Sequence, residues 1–93
     1  MGAAASARLL AAGAAWRLAG VPAAGRALTA AVSAGAETER TLAGMLLVQA
    51  GDRSVPVVAA AIRAGGDVAA LIDVLASIDS PAAREEVRRL RRP

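Results

Sequence analysis

Chemistry in this chain rests on arginines, eight carboxylates and a few hydroxyls, because His, Cys, Tyr, Phe and Lys are all absent. Those absences remove the usual general bases, the thiolate nucleophile and most metal ligands. Ser6, Ser33, Ser54, Ser77 and Ser80 have no histidine to activate them, and no glycine-rich phosphate loop occurs. Glu85 and Glu86 are adjacent, so on a helix they project about 100° apart and do not face each other as acid and base. Glu85 instead lies three and four residues before Arg88 and Arg89, and Glu86 three before Arg89, at ordinary ion-pair spacing. The chain reads as a non-enzyme with no catalytic residue, no cofactor and no metal site.

Arginine is then the residue left to recognise something. The run from Arg84 to Arg92 is the densest charge in the sequence. Cations at the end of a helix are ordinarily solvated and favoured by its dipole. Arg84, Arg88 and Arg91 also share one helical face, from which guanidinium groups can hold carboxylates in bidentate fashion. Arg26, Arg53 and Arg63 fall on the second helices of successive helical pairs, which line one surface when such pairs stack. These six arginines are the candidate partner-binding residues of a shallow basic groove. Its partner would be a protein, acidic in character, or a phosphate. A nucleic-acid partner is disfavoured, because the net charge is only +3 and Trp16 is the lone aromatic residue.

These arginines need elements to position them. The stretch Gly51 to Ile78 contains the repeating unit. Asp52 or Ser54 is placed to cap a helix, and Pro56 sits in its first turn, where a missing N–H costs nothing. Val55, Val58, Ala59 and Ile62 recur at helical spacing. Gly65 and Gly66 stop that helix, and Asp67 can cap the next, with Val68, Leu71, Ile72, Leu75 and Ile78 as its apolar stripe. Displacing the sequence by thirty residues lays Leu42 on Ile72, Met45 on Leu75, Val48 on Ile78, Val32 on Ile62 and Gly35 on Gly65. The last helix slips: Ala59 and Ile62 match Val87 and Leu90 at twenty-eight, which a connection shortened by two residues would explain.

This pattern predicts an all-α fold, an α-solenoid of about three antiparallel helical hairpins built from six short helices, as a single domain over 1–93. The hairpins span about 4–33, 37–64 and 67–91. Leu9, Ala12, Trp16 and Ala19 share the inner face of the first helix, with Trp16 in the core. In the third helix Leu42, Met45, Leu46 and Gln49 form the stripe, widened by Leu47 and Val48. Glu37 and Glu39 sit at its positive end.

The run Gly51-Asp52, Val55-Pro56, Ile62, Asp67-Val68, Ala69-Ala70, Leu75, Ile78-Asp79, Pro81-Ala82-Ala83 resembles the HEAT family, in particular its short bacterial repeats. The likeness covers 37–90 well and 1–36 weakly. The family often places Arg directly after the Asp-Val pair, where this chain has Ala69. The resemblance implies a scaffold for protein–protein interaction.

Apolar residues make up 56% of the chain, but many are alanine, so helices must approach closely to make a core. The absence of cysteine suits a reducing, cytoplasmic setting. Arg8, Arg17 and Arg26 interrupt the N-terminal apolar run, so no membrane span is expected. The first 36 residues hold those three arginines and no acid. A transit peptide shares that composition, and so does a helix lying on an anionic membrane. Both rank below a structural role, the second because the polar face is thin. The alanine-rich first hairpin is expected to fray unless a partner or a second copy covers it. The reading is a non-enzymatic protein-binding or scaffold module, with a nucleic-acid or phosphate binder using the C-terminal arginines as the alternative.

Overall fold

The computed structural model describes residues 3–92, so both ends of the expected 1–93 domain lie just outside it. Six α-helices follow one another: α1 Ala3–Ala19, α2 Pro22–Ala34, α3 Glu37–Gln49, α4 Ser54–Arg63, α5 Val68–Ile78 and α6 Pro81–Arg91. No strand occurs among the described residues. Helices α1, α3 and α5 pack side by side in one layer, and α2, α4 and α6 in the other. Stacking pairs of helices in two layers gives a slab of 41 × 25 × 19 Å, as an α-solenoid requires.

Local sequence explains the breaks. Pro22 and Pro81 open α2 and α6. Asp67 and Ser80 cap α5 and α6, accepting from the N–H groups of Ala70 and Ala83 at 3.1 Å each. At α3 the carboxylate of Glu39 accepts from Ala36 N–H at 3.2 Å, one half of a reciprocal cap whose other half alanine cannot supply. The start of α4 departs from expectation. Neither Asp52 nor Ser54 caps it, since a 3-10 turn, Gly51–Arg53, leads into the helix. Asp52 is engaged instead by the Ser80 hydroxyl at the start of α6. Through that turn the chain changes direction by 113°.

The core runs through every helix, with Leu9 and Trp16 from α1, Leu28 and Val32 from α2, Leu47 from α3, Val55 and Val58 from α4, Leu71 and Leu75 from α5, and Ala83 from α6. Between α2 and α4 the thirty-residue pairing holds: Ala24, Gly25 and Leu28 are buried, and so are Ser54, Val55 and Val58. Between α4 and α6 the shift is twenty-eight, Val55 and Val58 recurring as the buried Ala83 and Glu86. Between α3 and α5 it is twenty-eight as well. The buried Ala43 and Leu47 of α3 recur as Leu71 and Leu75 of α5, at twenty-eight. The slip is therefore present before the α5–α6 connection, because α5 reaches its core face sooner than α3 does. That places Met45 differently from Leu75: it is 55% exposed, while Leu75 is fully buried. The inner stripe of α3 is Ala43 and Leu47, with Leu42 and Leu46 half-buried on its flanks.

Trp16 is buried, and its ring packs so closely on α2 that a Cβ at Gly25 would lie 2.8 Å from it. Its indole N–H donates to the Ser54 hydroxyl at 2.9 Å, and that hydroxyl donates to the Leu47 carbonyl at 2.7 Å. Ser54 is fully buried. One polar relay thus crosses the apolar interior and joins α1, α3 and α4. Ser54→Ala leaves the indole N–H and the Leu47 carbonyl unpaired in the core and should cost about 1–3 kcal/mol in denaturant titration. Gly44 of α3 offers the opposite test. An added methyl meets nothing nearer than Val74 at 3.7 Å, so Gly44→Ala should stabilise by about 0.5–1 kcal/mol in the same titration.

Candidate binding surfaces

The candidate arginines divide into two groups. Arg26 on α2 and Arg53 at the 3-10 turn meet at one cleft of about 340 Å³, with Trp16, Gly20, Pro22, Pro56 and Val57. Gly20 ends α1 with φ +63, a backbone state glycine adopts readily, and the Arg53 guanidinium occupies the space a Cβ would take. A neighbouring trough of about 370 Å³ continues between α2 and α4 over Thr29, Ala30, Val57, Ala60 and Ala61. Arg26 and Val57 border both. Alanines make its floor shallow, and Arg26 and Arg53 carry no ion pair among the described residues.

The remaining four lie elsewhere. Arg63 reaches Glu86 at 2.7 Å, and Glu86, itself buried, also accepts from Arg89 at 3.2 Å. This cluster ties α4 to α6. Arg84 donates to both the carbonyl and the carboxylate of Asp79, at 2.9 and 2.8 Å. Asp79 has φ +52 and closes α5, so Arg84 braces a left-handed residue in the turn. Arg88 donates to Glu85 at 2.6 Å. That bond, together with the Arg88 charge, holds the Glu85 carboxyl below its ordinary value of 4.5. Arg91 is exposed at the end of α6. The structure brings Arg26 and Arg53 together and engages Arg63, Arg84 and Arg88 within the chain.

Two features were not foreseen. Arg40 of α3 donates to the Ser33 carbonyl at 2.9 Å and to Asp67 at 3.3 Å, while Ser33 Oγ accepts from Asp67 N–H at 3.1 Å. These bonds fasten the end of α2, the start of α3 and the turn before α5. No sequence-local spacing reveals them, since Arg40 and Asp67 stand 27 residues apart. The second is an apolar groove of about 380 Å³ on the other layer, between α3 and α5, lined by Gly44, Met45, Val48, Val74 and the rim acid Asp73. The half-turn slip in burial that exposes Met45 creates it.

Among the described residues no group of carboxylates could hold a metal ion. No helix of the described residues is long and apolar enough alone to cross a membrane. No family model matches the chain, and neither the curated proteins nor the solved structures contain a match to it.

Glu86 and Glu85 separate a buried ion cluster from an exposed one. Glu86→Ala should cost about 1–3 kcal/mol in denaturant titration, because it removes two charge-assisted bonds at a buried acid. Glu85→Ala should leave the midpoint little changed. The lowered Glu85 carboxyl contributes stability above its ordinary value, and that contribution disappears as pH falls through the lowered one. Arg88→Ala should return the Glu85 titration, followed by NMR, toward 4.5.

Proposed function

We propose that the chain is a non-enzymatic protein-binding module of the HEAT-like repeat type. Its binding surface is the trough between α2 and α4, and Arg26 and Arg53 select an acidic, partly apolar peptide segment. The observation that carries this reading is the placement on one apolar cleft of two arginines with no ion pair among the described residues. Val57, Pro56 and the alanines offer apolar contact area, and the guanidinium groups supply charge at one end. A peptide recognised this way gains bidentate bonds to its carboxylates as well as burial. The cytoplasmic setting belongs to the same reading and rests on the absence of cysteine.

The alternative, a nucleic-acid or phosphate module built on the C-terminal arginines, draws less support. Arg84, Arg88 and Arg89 face carboxylates of the chain itself, which would have to be displaced by phosphates. The test is a selection from a library of displayed random peptides. Enriched sequences should pair acidic with aliphatic residues and should lose roughly tenfold or more in affinity against an Arg26→Ala, Arg53→Ala double variant. Basic or featureless enriched peptides, or binding indifferent to that variant, would overturn the reading.

A further inference from the structure

The outward side of α1 is apolar. Leu18 is 71% and Leu10 is 53% exposed, and Ala7, Ala11 and Ala14 between them are exposed as well. At about 100° per residue, these five cover one continuous face, opposite Leu9, Gly13 and Trp16, which are buried. No polar side chain interrupts it. Arg17 stands at one edge of the face, and Arg8 lies beyond the other, lining a pocket with Ala27, Ala31 and Glu39. Val21, 41% exposed, extends the apolar surface past the helix end.

Charge decides what fits this face. The first 36 residues carry Arg8, Arg17 and Arg26 and no acid, while the rest of the chain carries eight arginines against eight acids. The entire net charge of +3 therefore resides on the hairpin that exposes the apolar face. A second copy docking through the same face would bring Arg17 of both chains together, with no acid on α1 to pair them. An anionic bilayer surface satisfies both features at once: apolar residues enter the boundary of the acyl chains, and flanking arginines reach the phosphates. The sequence alone shows a thin polar face; the fold shows that α1 turns that thinness outward, with its core-facing side already satisfied.

We propose that α1 is a peripheral membrane-binding element, docking the folded protein in the interfacial plane of anionic bilayers through Leu10, Leu18, Arg8 and Arg17. Sedimentation of the full chain with vesicles tests this. Binding should be strong on phosphatidylcholine vesicles containing phosphatidylserine and absent on phosphatidylcholine alone. Leu18→Asp, at an exposed position, should abolish it while the circular dichroism spectrum stays helical. Arg8→Ala with Arg17→Ala should weaken it roughly tenfold. Trp16, on the opposite side of α1, should keep its emission maximum on binding. No binding to anionic vesicles, binding that survives Leu18→Asp, or a dimer in analytical ultracentrifugation that Leu18→Asp dissolves would each overturn the proposal. These outcomes leave the α2–α4 trough untouched, because its test uses different residues and a different ligand.

Discussion

A polar relay through the interior sets the terms for this fold. Trp16 is the only aromatic side chain available, and burying its indole requires a partner for the N–H. Ser54 supplies that partner and passes the bond to Leu47. An indole aimed at one fully buried hydroxyl permits one register of α1 against α4. Apolar contact among alanines is weakly specific, because small side chains slide past one another with little loss of area. The relay supplies specificity where the alanine-rich core supplies little. It also explains the glycine at position 25, whose missing Cβ makes room for the ring.

Two further seams repeat the same solution nearer the surface. Arg40, Ser33 and Asp67 join the first pair of helices to the third, and Arg63, Glu86 and Arg89 join α4 to α6. The first seam reaches across all three hairpins, and the second ties the last two together. Arginines occupied this way are structural. Those without an ion pair among the described residues, Arg26 and Arg53 at one cleft and Arg8 and Arg17 on α1, are available for recognition. The same residue type thus serves two ends, and the carboxylates around it decide which.

The hairpins and their ends were legible in the sequence to within a residue, because Gly65, Gly66 and Asp67 act through local geometry. The second layer was legible as well: the thirty-residue shift carries the buried positions from α2 to α4, and the twenty-eight-residue shift carries them from α4 to α6. The first layer was misread at Met45, where coincidence of residue types hid a change in register. Ser54 was read as a cap because serines often are. Its place four residues before the buried Val58 puts it on the core face, and that was the available signal. The pairing of Ser54 with Trp16, 38 residues away, is a tertiary fact with no local trace. For the same reason the sequence grouped six arginines as one surface: spacing gave Glu85 for Arg88, and the fold adds Glu86 for Arg63 and Asp79 for Arg84.

The relay is tested most directly by hydrogen exchange at the indole N–H of Trp16, followed by NMR. The account predicts a single, downfield, slowly exchanging resonance whose protection matches that of the most protected amides in α3 and α4. An indole proton that exchanges with solvent as fast as a surface tryptophan, while those helices remain protected, would contradict it.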